Sequence, residues 1–188
     1  DGIVQESPFM RVDKPKAKNK KRAYWTLKMT RKALAAMKHD DSFLHTAVHL
    51  TFICTGRNGE VVGLTWDCVD FERGCIKIEK TLQRIGEDEF PILPKNELFF
   101  VFPKKVSSSK SLLVLKSTKT DESVREIYLT KELTRELETR WQIVQREKEY
   151  LGSEYNNYNL VFCLENGDPI EPKLMVKKFQ KWQNRHPE

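Results

Sequence analysis

The sequence predicts a helix-rich α+β domain with a small antiparallel sheet, truncated at its C-terminus. Three observations carry this reading. Apolar residues recur at helical spacing from Thr26 to Leu64 and again from Thr130 onward. Between these stretches "CIKIEKTL" (75–82) alternates apolar and polar residues as a half-buried strand does, with "SLLVLK" (111–116) and "REIYL" (125–129) as further strand candidates. Helices, then strands, then helices is the order of an α+β domain rather than of an alternating α/β one.

A chain of 188 residues, 39% hydrophobic and 32% charged, is long enough for one main core. It has no apolar run of membrane-spanning length and no basic-then-apolar leader, so it reads as soluble, unexported and cytoplasmic. Its four cysteines, Cys54, Cys68, Cys75 and Cys163, form no C-x-x-C pair and suit a reducing compartment without structural metal.

The elements are expected in this order. Residues 1–23, rich in lysine and containing two prolines, read as a basic interdomain linker, with the folded domain occupying 24–188. Thr26 can cap a first helix with apolar positions Leu27, Leu34 and Met37, ending at "KHDD". Ser42 is the expected cap of a second helix, buried along Leu44, Ala47, Val48, Thr51 and Phe52. A short third helix spans Asn58 to Leu64, and Gly56 and Gly59 permit close backbone approach around Arg57. After the turn "DFERG" comes the strand at 75–82. The other two strands, joined by "STKTDESV", are expected as an antiparallel hairpin or meander. The stretch 85–111 has three prolines and reads as an elaborated loop, with a short strand at "LFFVF". From Thr130 a helix places Leu133, Leu137, Trp141 and Val144 on one face. "NLVFCLENGDPIEP" then predicts a strand closing on an Asn-Gly turn, and "KLMVKKFQKWQNR" a last helix. Trp66 and Trp141 are expected in the core.

Charge narrows the function classes. The net charge of +6 is concentrated in "KPKAKNKKR" (14–22). Clustered cations bind phosphate backbones by releasing counterions, which makes Lys14, Lys16, Lys18, Lys20, Lys21 and Arg22 candidate DNA-binding residues; the alternative is a solvated tail. His45 and His49 stand one helical turn apart, a spacing that can suit a metal, but the sequence shows no third ligand, and packing or surface roles are expected.

Two motifs carry a resemblance to a known family. In "RNGEVVGLTWDCVDF", Arg57, Gly59, Glu60, Leu64, Trp66, Asp67 and Asp70 fall on the pattern of tyrosine recombinases, the phage-type integrases. In "STKTDESVREIYL", Lys119, Thr120, Ser123, Arg125, Ile127 and Leu129 resemble that family's lysine turn. "NLVFCLENGDPIEP" is a weaker third match. Within the family the chain is most similar to integrases of conjugative transposons and phages. Arg57 follows Thr55-Gly56 directly, one residue sooner than is usual in the family, a departure confined to the turn.

The resemblance implies site-specific DNA recombination through a 3′-phosphotyrosyl intermediate, on double-stranded DNA, by recombinase protomers assembled there, without metal or other cofactor. The residue types suit that chemistry. A guanidinium can bond two non-bridging phosphate oxygens while staying charged, which is the role of Arg57. Lys119, on a turn, can protonate the leaving 5′ oxygen as general acid, and Glu60 can hold Arg57 in place by a charge-assisted bond, the alternative being that it simply faces solvent. The resemblance also implies a His-x-x-Arg motif and a later nucleophilic tyrosine. Neither follows here, since the last tyrosine is Tyr158 and the sequence stops at "NRHPE". The chain therefore reads as a catalytic-domain fragment, inactive alone because an arginine and a lysine without an attacking hydroxyl can only hold a phosphate. The alternative is a non-catalytic DNA-binding protein on the same scaffold.

Overall fold

The computed structural model describes residues 24–118 and 123–187. Its first helices follow the sequence closely. Thr26 caps α1 (Leu27–Asp40), its hydroxyl accepting from the Met29 N–H at 3.3 Å. Helix α2 (Ser42–Cys54) is capped by Asp41, not Ser42, because Asp41 is the one extended residue between the helices and its Oδ1 accepts from the Leu44 N–H at 3.0 Å. The buried face of α2 is Leu44, Ala47, Leu50 and Cys54, joined by His45 and Thr46. Phe52 lies mostly outside it, stacked on Trp25, and Leu27 of α1 is likewise exposed.

Helix α3 (Asn58–Val62) is shorter than expected and ends at Gly63. It lies backbone to backbone on strand β3 (Lys80–Gly86). A Cβ on Gly59 would stand 2.8 Å from the Leu82 carbonyl oxygen, and one on Gly63 2.6 Å from the Leu82 nitrogen. Gly59, expected to allow a close approach, does so against this strand.

The strand expected at 75–82 is two strands, broken at Glu79. Strand β2 (Cys75–Ile78) lies between β1 (Val69–Asp70) and β6 (Arg125–Tyr128), whereas β3 pairs with β5 (Ser111–Ser117), whose other edge takes β4 (Leu98–Val101). All pairs are antiparallel. Strands β5 and β6 therefore do not form the expected hairpin with each other. They lie end to end along the 75–86 run, Ser111 opposite Gly86 at one end and Tyr128 opposite Cys75 at the other. Thr118 keeps the pairing going across the break by donating its N–H to the Glu79 carbonyl at 3.2 Å.

The elaborated loop is shorter than 85–111, since β3 runs on to Gly86, and it contains the strand foreseen at "LFFVF" as β4. Helix α4 (Lys131–Leu151), capped by Thr130, buries Leu133, Leu137 and Val144 against α2 and the sheet. Trp66 is buried as expected. Trp141 is at the rim, edge-on to Trp66 at 4.9 Å, because the helix turns that position toward solvent. The segment 159–170 makes only two isolated bridges, Thr65 with Leu160 and Cys163 with Pro169, so the expected strand there does not form, though Leu160, Val161 and Phe162 are core residues. Helix α5 (Pro172–Arg185) closes on α1 through Trp182, whose indole N–H donates to Asp40 Oδ2 at 3.1 Å. The four cysteines are buried and unpaired. No helix among the described residues is long and apolar enough to cross a membrane.

Candidate functional site

Helix α2 ends in a sharp turn that delivers Arg57 to the start of α3. Thr55 takes the left-handed conformation there, with φ of 46°, which crowds a β-branched side chain. Thr55→Gly is expected to raise stability by about 1 kcal/mol, seen as a higher denaturant midpoint. An unchanged midpoint would mean that the 2.7 Å bond from the Thr55 hydroxyl to the Cys54 carbonyl offsets the strain.

Glu60 is the centre of the site. Its residue is 2% exposed, and three N–H groups converge on its carboxylate. Oε1 accepts from Arg57 Nη1 at 2.9 Å, while Oε2 accepts from the Arg57 backbone N–H at 3.1 Å and from Arg125 Nη2 at 2.8 Å. Burial alone raises this carboxyl, but the bonds from Arg125 and Arg57 outweigh it, and its pKa lies below the ordinary value. Glu60 is thus an ion at neutral pH that fixes two guanidinium groups.

The two arginines differ in what remains free. Arg57 has a side chain 71% exposed, and among the described residues only Glu60 bonds its guanidinium. Arg125, at the start of β6, is half-buried and turned inward. Besides Glu60 it donates to the Cys54 carbonyl at 3.3 Å and, through Nη1, to the Ser123 carbonyl at 2.9 Å. It therefore ties the end of α2, the start of α3 and the entry to β6 into one cluster. The sequence places Arg125 in the lysine-turn motif without assigning it this partnership. Lys119, Lys14, Lys16, Lys18, Lys20, Lys21 and Arg22 lie outside the described residues. Asn58 donates to the Pro172 carbonyl at 2.6 Å, which joins the site to the start of α5. His45 and His49, for which the sequence offers no third ligand, meet Glu136 of α4.

Comparison with solved structures shows that the chain has a known fold. The Tn1549 transposon integrase bound to a circular intermediate DNA superposes with a TM-score of 0.61 at 15% identity, over 90% of this chain and 46% of that one. The same integrase in complex with transposon right end DNA gives 0.57 at 17% identity, over 87% and 47%. XerA recombinase gives 0.52 at 13% identity, over 90% and 45%. This is an integrase fold. The chain spans about half the length of the solved chains it matches. No family model and no curated protein matches the sequence. Arg57 and Arg125 come from elements almost 70 residues apart in sequence, and the carboxylate of Glu60 bonds both.

Proposed function

We propose that this chain is the linker and the first part of the catalytic domain of a site-specific tyrosine recombinase, acting on double-stranded DNA. The observation that carries the reading is the buried Glu60 carboxylate holding Arg57 outward, with most of its guanidinium open to a ligand. In the reaction a tyrosine oxygen attacks the scissile phosphorus, the new P–O bond forms as the bond to the 5′ oxygen breaks, and negative charge builds on the non-bridging oxygens. Arg57 meets that charge with two parallel N–H donors, and the pre-set geometry spares the reorganisation that water would require. Lys119 gives its proton to the departing 5′ oxygen. The lysines of 14–22 grip backbone phosphates along the duplex, and protomers assemble on the DNA. The DNA-bound integrase structures of the same fold support duplex DNA as the partner.

The test is trapping of a covalent complex on a nicked suicide substrate, using the whole protein that carries this sequence, with and without Arg57→Ala. A protein-DNA adduct is expected, forming on the order of 100-fold to 1,000-fold more slowly in the variant, the usual cost of one transition-state donor. Duplex binding without any adduct across matched sites would favour the non-catalytic DNA-binding reading. Adduct formation indifferent to Arg57→Ala would return that arginine to a helix-start role.

A further inference from the structure

Helices α2 and α4 bring together a second group of side chains, away from Arg57. His45 and His49 stand one turn apart on α2 with their rings parallel within 10° and centroids 5.6 Å apart. Glu136 reaches them from α4. Its Oε1 lies 3.5 Å from His45 Nε2 and 3.2 Å from His49 Nδ1, and Oε2 is also 3.2 Å from His49 Nδ1. The side chains of His45, His49 and Glu136 are 5%, 13% and 12% exposed. His45 Nε2 is buried and has no hydrogen-bond partner, although it points at this carboxylate. Buried polar atoms are nearly always paired, so a nitrogen without a hydrogen bond that faces a carboxylate at 3.5 Å asks for an occupant.

We propose that His45, His49 and Glu136 form a binding site for a divalent transition-metal ion, zinc above all. The ligand atoms all lie within 4.8 Å of one another. Bonds of about 2.1 Å in a tetrahedron put neighbouring ligand atoms about 3.4 Å apart, and the carboxylate-imidazole separations of 3.2 and 3.5 Å bracket that edge. Two imidazoles and one carboxylate suit zinc and its neighbours, whereas magnesium and calcium prefer all-oxygen shells.

A second cluster, Asp67, Cys68 and Glu79, shows the contrast. There the Lys80 ammonium already stands 2.5 Å from Asp67 and 3.8 Å from Glu79, taking the cation's place. At Glu136 the partners are the two imidazoles, which become ligands without displacing an ammonium. An ion here ties α4 to the helix that runs directly into Thr55 and Arg57, so it stiffens the base of the site without touching a substrate.

The chain, stripped with a chelator, is titrated with zinc against a competing chromophoric chelator, and with cobalt to read its visible absorption. One zinc per chain is expected, with a cobalt spectrum of four-coordinate nitrogen and oxygen ligation and a higher Tm in zinc. Glu136→Gln and His49→Gln are each expected to weaken zinc by at least about 100-fold, the upper end of what losing an outer-sphere partner costs. Cys68→Ser, in the other cluster, is expected to leave it unchanged. Wild-type chain that takes up no zinc, or zinc affinity that survives both substitutions in folded protein, overturns the proposal.

Discussion

Glu60→Ala is expected to cost the fold about 3–5 kcal/mol, because it leaves guanidinium charge and a backbone N–H without their buried acceptor. Oε1 and Oε2 together serve Arg57 and Arg125 from a residue that is 2% exposed. Glu60→Gln should cost less and act more selectively. Its one carbonyl oxygen can keep the Oε2 bonds to Arg125 and the Arg57 backbone, but its amide N–H groups then face Arg57 Nη1, donor against donor. Arg57 is released while the cluster stands. Duplex DNA binding and adduct formation should then fall in Glu60→Gln almost as in Arg57→Ala, while its denaturant midpoint stays nearer wild type. The pH dependence follows from the direction of the shift. The folded pKa of Glu60 lies below its unfolded value of 4.5, so its contribution is fully present above that pH and is lost as pH falls through the lower, folded value. Stability should thus decline more gently in acid for Glu60→Gln than for wild type. Parallel acid limbs, together with a midpoint loss under about 1 kcal/mol in Glu60→Ala, would show that the carboxylate is not the organiser of this site.

The contact between Arg57 and Glu60 was legible in the chain because its parts are local. Arg57 and Glu60 are three residues apart at a helix start, where a glutamate naturally reaches back to the preceding N–H. Glu60 and Arg125, by contrast, bond across a separation of 65 positions in the chain. Periodicity cannot supply such a contact, since it reports which face is buried and not what lies across it. The strand errors have the same origin. The strand pattern identified β2, the start of β3 as far as Leu82, β5 and β6, but the break at Glu79 sends β2 and β3 to different partners, and a two-residue period is blind to pairing. The segment 159–163 reads as a strand from its apolar content, yet its backbone groups find bridges and a side chain instead of a ladder. Likewise the histidine pair on α2 was plain, and its third member was hidden on α4.

That side chain is Arg140, which is expected to be the second most costly residue to remove. It sits on α4 at 7% exposure, amid Leu133, Leu137 and Val144 on the buried face of a helix where sequence reasoning looks for an apolar residue. Its Nε donates to the Val161 carbonyl at 3.2 Å and its Nη2 to the Cys163 carbonyl at 3.1 Å, while the guanidinium lies 5.1 Å over the Phe43 ring. These two carbonyls face no neighbouring strand on that side; the planar fork of one guanidinium serves both. Glu147 stands 3.7 Å from Nη1, and burial raises its carboxyl pKa against the pull of Arg140. Arg140→Met keeps the bulk, strips the donors and leaves two buried carbonyls and Glu147 uncompensated, a loss of about 3 kcal/mol. Arg140→Lys should recover only part of this, since one ammonium cannot reach both carbonyls. If Glu147 is a source of the loss, Arg140→Met combined with Glu147→Met should be more stable than Arg140→Met alone, a coupling that a double-mutant cycle measures directly. Strict additivity would leave the carbonyls as the whole cost. A loss below about 1 kcal/mol in Arg140→Met would mean that solvent replaces the guanidinium, and that 159–163 is not held by it. Because that segment leads to α5, whose first residue accepts from Asn58 beside Arg57, Arg140→Met should also loosen the Arg57 site from behind, lowering the proposed duplex binding without altering Arg57 itself.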